Sequence, residues 1–192
     1  MSILQPPGTY TVKLSAAGQE LSQPLVVKKD PNSSGTEADI QTQIAMLTEL
    51  RSELDTAATM VNQIEFVRSQ LLSIRSLLGS QRGQHAAIIS ASEELDKKLI
   101  EVEEQLIQRR LTGQGQDTVR WPPKLLTKIN YLANGLAGSD FGPTTQQREV
   151  QAIFKQQVAS HKARLNELLT KDLSAFNNLL RERGIQNIIT RP

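Results

Sequence analysis

Residues 36–78 read TEADIQTQIAMLTELRSELDTAATMVNQIEFVRSQLLSIRSLL, and this stretch decides the fold. Apolar side chains recur in it every three or four residues, a spacing that places them on one stripe of an α-helix. They are Ile40, Ile44, Leu47, Leu50, Leu54, Ala57 or Ala58, Val61, Ile64, Val67, Leu71, Ile74 and Leu78. A mean spacing of about 3.5 residues is typical of a coiled-coil seam. The stretch therefore predicts one long helix that packs against the rest of the chain.

Local signals mark both ends of this helix. Thr36 and Asp39 have capping-box spacing, in which each side chain accepts a hydrogen bond from the backbone of the other residue. After the last apolar position, Gly79, Ser80 and Gly83 favour a reversal of the chain. We therefore expect the next helix to run antiparallel to the first.

Three further helices are predicted. Residues 84–111 form the second helix, and a charged outer face that includes Glu103 is expected to be solvated. A loop at 112–120 leads to a short helix over 122–136, and a second long helix follows over 144–183. Short connections make neighbours antiparallel. The predicted fold is mainly α, an elongated antiparallel bundle of long helices with an N-terminal β-hairpin.

The hairpin is predicted from alternating residues near the start of the chain. Tyr10, Val12 and Leu14 alternate with polar residues, and a second strand spans 21–28, with Pro24 at an edge or a bulge. A lone hairpin is marginal in water. It therefore belongs to a larger sheet, packs on the helices or pairs with a second copy, and we favour the first.

This interpretation divides the chain into three parts. Residues 1–30 form a hairpin left from a preceding sandwich domain, 36–184 form the helical bundle, and 185–192 form a tail. The first helix starts only about seven residues after the second strand. We therefore expect the hairpin to project from one end of the bundle and to be its least protected part.

The amino-acid composition of the chain limits the classes of function that are expected. Aromatic residues make up 4% of the chain, which is low for an enzyme and typical of long helices. The 22 basic and 20 acidic residues are interspersed, so nucleic-acid binding is not favoured. There is no cysteine, no apolar run of membrane-spanning length and no signal peptide at the start. Neither a cofactor nor membrane insertion is expected, and the compartment stays open.

No catalytic, cofactor-binding or metal-binding residues are predicted. The carboxylates lie on surface stripes or in first helical turns, without the facing pair of a glycosidase. Neither histidine has the Glu-x-x-His spacing of a di-iron bundle. His161 is expected to be partly buried and hydrogen-bonded, and His85 to be exposed in a first helical turn. Trp121 and Tyr10 are the possible partner contacts, although a Trp beside two prolines also suits a plug at a bundle end.

Several short stretches carry a family resemblance. They are GTYTVKL at 8–14, QPLVVK at 23–28, Trp121-Pro122, Pro143-Thr144 with Gln146-Gln147, and FNNLL at 176–180. In this order they resemble the C-terminal region of bacterial sortilin-like, Asp-box repeat proteins, often labelled glycosyl hydrolases or sialidases. The resemblance implies an accessory region of a larger protein with an extracytoplasmic home. Its β-propeller would carry any sugar chemistry, and this chain contains neither a propeller blade nor an Asp-box.

Three functional hypotheses follow. The first is a non-catalytic structural or protein-interaction module, the helical accessory region of a larger β-propeller protein. The second is an autonomous homo-oligomeric coiled-coil protein whose hairpins complete a sheet between copies. The third and weakest is part of a glycosyl hydrolase whose active site lies elsewhere.

Overall fold

The computed structural model describes residues 3–79 and 83–190 and shows a mainly helical chain behind an N-terminal antiparallel hairpin. Helices make up 63% of the described residues. In chain order the elements are β1 Gly8–Ala16, β2 Gln19–Val27, α1 Glu37–Leu78, α2 Ala86–Leu106, α3 Asp117–Arg120, α4 Leu125–Leu136, α5 Thr145–Glu167, a π-helical turn Leu168–Asp172 and α6 Leu173–Arg181. The predicted fold class, mainly α with a hairpin, is confirmed.

Helix α1 has the predicted bounds and stripe. Leu47, Leu50, Ile64, Val67 and Leu71 are among its buried side chains. Two polar residues, Gln43 and Glu53, are also buried on this helix. Gln43 and Glu53 each lie seven and fourteen residues before other buried positions of α1. This heptad spacing places both polar side chains in the seam of the helix, where coiled coils also carry occasional polar residues.

The shorter helices differ from their predicted bounds for identifiable reasons. Helix α2 ends at Leu106 rather than 111, because Ile107 is extended, with φ −129° and ψ 153°. The predicted loop contains the short helix α3. Helix α4 begins at Leu125 rather than 122. Trp121 is extended, with φ −120° and ψ 114°, which is the conformation that a following proline imposes.

The last long helix consists of α5, the π-helical turn and α6. Leu165, Leu168, Leu173 and Phe176 are all buried on it, and Leu168 and Leu173 are five residues apart. A π-helical turn accommodates one extra residue per turn, so this spacing keeps both leucines on the buried stripe. The buried stripe does not reach the start of α5, since Val150 is 37% exposed and Val158 is the first buried residue of this helix.

The contacts divide the chain into two compact units. The first comprises Met1–Ser52 and Asn130–Ala152, and the second comprises Glu53–Ile129 and Ile153–Pro192. Each is described by itself below.

The first unit contains the hairpin and the beginnings of α1 and α5. The predicted capping box of α1 is present, since Asp39 N donates to Thr36 Oγ1 at 3.0 Å, and a second box begins α5, where Gln147 N donates to Thr144 Oγ1 at 3.2 Å. Thr36 and Thr144 donate their own backbone N–H groups to the partner side chains in return. Because each box satisfies two backbone donors that would otherwise lack a partner, it fixes the residue at which its helix begins.

The buried side-chain amide of Gln43 binds backbone carbonyl groups at the end of α4 in this unit. Gln43 Nε2 lies within hydrogen-bonding distance of the carbonyl oxygens of Leu136, Ser139 and Phe141. These carbonyls belong to the last residue of α4 and the loop after it. Gln43 is polar although it lies on the seam of α1, because its side chain satisfies backbone carbonyl groups that have no partner within α4.

The second unit contains the rest of α1, helix α2 and most of the last helix. Arg75 of α1 contacts Ser92 of α2, whereas Arg68 contacts Glu103, so α1 and α2 run antiparallel. Lys98 of α2 pairs with Asp172, and α2 packs against α6. The core of this unit consists of aliphatic side chains from all three helices, including Ile64, Leu71, Ile88, Leu99, Leu106, Leu165, Leu168, Leu173 and Leu180.

Candidate interaction surface

The hairpin of the first unit has a tight, fully defined turn. Ala17 and Gly18 both have positive φ, at 50° and 76°, which is the signature of a type I′ turn. The register runs from Ala16 opposite Gln19 to Gly8 opposite Val27 without a bulge. Since residues directly opposite each other in an antiparallel pair share a face, this register sorts the side chains into two sets.

One face of the hairpin is mainly apolar and uncovered. It carries Tyr10, Val12, Leu14, Leu21, Leu25 and Val27, which we call the hairpin face, with one polar residue, Gln23, opposite Val12. The opposite face is mainly polar: it carries threonine, serine and the exposed ion pair of Lys13 with Glu20, 3.4 Å apart, together with Pro24 and the exposed Val26. Every residue from Thr11 to Val26 is exposed, and the four leucine and valine side chains nearest the turn are 49–65% accessible. An apolar patch of this kind indicates a contact surface.

A recess of mixed character lies at the base of the hairpin. A cavity of about 390 Å³ is lined there by apolar residues that include Val27, Ile40, Ile44, Leu47 and Ala137, and by polar and charged residues that include Lys29, Asp30, Gln43 and Asp140. Val27 belongs to both the hairpin face and this recess. A partner on the hairpin face would therefore reach apolar side chains of α1 as well.

The two edges of the hairpin are not equivalent. Hydrogen-bonded and non-hydrogen-bonded pairs alternate from the turn, so Thr11 opposite Pro24 is a non-hydrogen-bonded pair. In such a pair the backbone groups point away from the partner strand. Pro24 therefore leaves the outer edge of β2 without a donor in its middle, whereas Thr9, Thr11 and Lys13 present a complete outer edge on β1. An added strand is expected on β1 only.

The two predicted partner contacts lie in different units. Tyr10, in the first unit, belongs to the hairpin face, and its hydroxyl donates to the carbonyl oxygen of Pro6 at 2.6 Å. Trp121, in the second unit, is half-buried, and the guanidinium of Arg110 lies 4.7 Å from its ring centroid. The plug interpretation of Trp121 has limited support, since the ring is partly exposed. The predicted role of either residue in a partner contact stays a prediction.

Both histidines are half-buried. His161 is half-buried, as expected, and burial lowers its pKa. His85 is half-buried rather than exposed, and it immediately precedes α2, where its side chain makes no capping hydrogen bond. Over the described residues, no three histidine, aspartate or glutamate side chains come close enough together to hold a metal ion.

A buried ion-pair cluster in the second unit was missed by the sequence analysis. Glu103, expected on the solvated face of α2, is 2% exposed. Its carboxylate accepts from Arg68 at 2.7 Å and lies 3.3 Å from Arg109. Arg68 also donates to Asp96, which pairs in turn with Arg75. Burial raises the pKa of Glu103, and the two arginines only partly offset this effect.

Other acidic groups serve local structure. The Asp39 carboxylate accepts from Thr36, and the Asp117 carboxylate accepts from the backbone of Thr112 and Gly113 and from the Thr112 hydroxyl. These hydrogen bonds lower the pKa of both carboxyl groups. Asp117 thereby closes the glycine-rich loop before α3. Carboxylates occupied in this way are poorly placed for acid–base chemistry.

Comparisons with protein-family models, curated proteins and solved structures find no match to this chain. In the described part of the chain, no helix is both long enough and apolar enough to cross a membrane.

Proposed function

We propose that the chain is a non-catalytic protein-interaction module and that the hairpin face is its contact with a β-domain of a larger protein. The observation that carries this proposal is the uncovered, mainly apolar hairpin face, whose opposite face is mainly polar. Burial of one such leucine or valine stabilises a contact by about 1.5–3 kcal/mol. Several exposed side chains of this kind on one face are therefore sufficient to hold a partner.

The edges of the hairpin support a β-domain as the partner. Pro24 makes β2 suitable as the outer strand of a sheet, whereas β1 can pair with another strand. A hairpin of this kind is the terminal hairpin of a larger sheet, and its apolar face would be covered by a second sheet, as in a β-sandwich. The resemblance to sortilin-like, Asp-box repeat proteins agrees with this arrangement, and we propose a β-propeller protein of that kind as the parent.

The non-catalytic part of the proposal rests on how the acidic and basic side chains are used. Asp39 and Asp117 cap backbone groups, while Asp96 and Glu103 pair with arginines. A hydrolytic activity of the isolated chain on aryl glycosides or sialosides, abolished by changing one carboxylate, would contradict it.

The test is binding of the purified chain to a recombinant β-sandwich domain from a sortilin-like, Asp-box protein, measured by titration calorimetry. We expect saturable binding that Val12→Asp abolishes, because the substitution places a charge in the apolar contact. The matched control is Thr11→Asp on the polar face of the same strand, which should bind like the unchanged chain. Failure to bind, or equal loss in both variants, would refute the proposed contact.

A second candidate function is self-association through the open edge of β1. Size-exclusion chromatography with light scattering separates the two: a monomer fits the accessory module, and a tight dimer that Thr11→Pro dissociates, because this change removes an outward N–H donor of that edge, fits a sheet formed between copies.

A further inference from the structure

The segment 185–190, which follows α6 in the second unit, is held by side-chain amides. Asn177 Nδ2 donates to Ile188 O at 2.9 Å, and its Oδ1 accepts from Ile188 N at 2.8 Å. Gln70 Nε2 donates to Ile189 O at 2.9 Å, and its Oε1 accepts from Ile189 N at 3.1 Å. Gln63 Nε2 donates to Thr190 O at 3.4 Å.

This pattern is that of an extended strand between two helices. In an extended chain the N–H and C=O groups of one residue point to one side, and those of the next residue point to the other. Ile188 accordingly turns its backbone to Asn177 of α6, and Ile189 turns its backbone to Gln70 of α1. Each carboxamide uses one donor and one acceptor on the segment, as a neighbouring strand would.

The helices contact the backbone of the segment and its side chains in different ways. The amides read only backbone groups, which every residue except proline presents in full. Selectivity comes from Ile188, whose side chain is 4% exposed, whereas Ile189 is 53% exposed and is not enclosed. Gln70 Nε2 also donates to Phe66 O at 3.1 Å, which fixes the amide in place independently of the segment.

The junction before the segment is a helix C-cap. Gly184 has φ +67°, and Gly184 N and Ile185 N donate to Arg181 O and Leu180 O, the hydrogen bonds of a Schellman motif. The Schellman motif satisfies the last backbone groups of α6 without any contribution from residues 186–190. These residues can therefore leave the helices without any loss of helical hydrogen bonds, as expected for a local opening.

We propose that the groove between α1 and α6 formed by Gln63, Gln70 and Asn177 is an extended-peptide-binding site, with residues 185–190 as its resident ligand. The ligand class is an extended peptide with an aliphatic side chain, such as isoleucine, at the position of Ile188 and any residue at the next position. A peptide from another protein with this pattern replaces the resident segment. The site thus adds a second mode of protein recognition that does not depend on the hairpin.

The resident segment competes strongly with any added peptide, because a tethered ligand has an effective concentration of about a millimolar. The test therefore uses a full-length chain in which the segment is released, Ile188→Asp. The probe is a fluorescein-labelled peptide, IQNIIT, with the sequence of residues 185–190, and binding is followed by fluorescence anisotropy. We expect it to bind Ile188→Asp at least about tenfold more tightly than the unchanged chain.

Matched controls test each part of the recognition. Ile189→Asp changes the exposed neighbour, so the segment should stay in place and peptide binding should equal that of the unchanged chain. Asn177→Ala combined with Ile188→Asp should weaken peptide binding, because one bidentate contact is lost. A peptide with aspartate at its fourth position should not bind. If Ile189→Asp binds the peptide as tightly as Ile188→Asp, the pocket of Ile188 does not select the ligand and the proposal is wrong.

A measurement on the unchanged chain does not depend on a variant that must fold. With excess unlabelled peptide, the backbone amides of Ile188 and Ile189 should lose protection from hydrogen exchange, while those of Leu165 and Phe176 keep theirs. If the peptide leaves all four amides unchanged and a folded Ile188→Asp chain does not bind it, the segment is a fixed part of the fold and the proposal fails.

Discussion

The hairpin and the segment 185–190 are both extended chains, yet they are stabilised in opposite ways. The hairpin pairs the inward-facing backbone groups of its two strands and leaves its apolar side chains in water, with Val12 and Leu14 more than half exposed. Among the described residues no strand pairs with the segment, but helix side chains bind its backbone, and Ile188 is buried. An extended segment can therefore be held in place by two carboxamides and one buried side chain. A hairpin whose two strands are fully paired with each other still needs a partner to cover its apolar side chains.

Hydrogen exchange should give the largest contrast. Residues 44–74 of α1 should exchange slowly, at rates near those of global unfolding, because much of this helix lies in the cores of the two units. Amides from Thr9 to Val27 should exchange fast, because the hairpin face has no cover and can open locally. Mass spectrometry of the deuterated chain measures both. Equal protection would mean that the hairpin is covered in solution, by the helices or by a second copy.

The next largest effect is expected from two ion pairs of unequal burial. Arg68→Ala should lower the free energy of unfolding by about 3–5 kcal/mol, because it leaves the buried Glu103 carboxylate without its closest cation. Lys13→Ala should cost less than about 1 kcal/mol, since its pair with Glu20 is exposed on the hairpin. Urea denaturation followed by circular dichroism measures both. Similar losses in the two variants would show that burial does not distinguish these pairs.

A smaller contrast is expected within the segment 185–190 itself. Ile188→Ala removes a buried side chain and should cost roughly 2–4 kcal/mol. Ile189→Ala removes an exposed one and should stay within about 0.5 kcal/mol. The same denaturation experiment compares them directly. A cost in Ile188→Ala as small as that in Ile189→Ala would mean that the segment is detached in solution.

Much of the fold was predictable because its signals are local. The stripe of α1 and the capping pairs Thr36–Asp39 and Thr144–Gln147 depend on residues a few positions apart. The five-residue gap between Leu168 and Leu173 is also visible in the sequence, yet its meaning depends on which residues are buried.

The candidate sites were less predictable because they depend on contacts between distant residues. The hairpin face was found from its alternation, but the uncovered state of that face and the inequality of its edges required the register. Gln70 and Asn177 are ordinary polar residues of helical surfaces until the chain places both beside Ile188 and Ile189. Glu103 belongs to a charged run that predicts a solvated face, and only the packing of Arg68 against it reveals a buried carboxylate.

The pH dependence of Glu103 should give the smallest effect. Its pKa is raised in the folded chain by burial, so its contribution to stability is fully present below the unfolded pKa and is lost as pH rises through the folded pKa. Glu103→Gln keeps the shape and removes the titration. The unchanged chain should therefore lose stability relative to Glu103→Gln as pH rises from about 4 to 7.

Glu20→Gln, in the exposed hairpin pair, serves as the control for a general charge effect, and urea midpoints at several pH values give the comparison. A relative gain of the unchanged chain over the same range would mean that Arg68 and Arg109 outweigh burial, and that the cluster holds Glu103 charged with its pKa below the ordinary value.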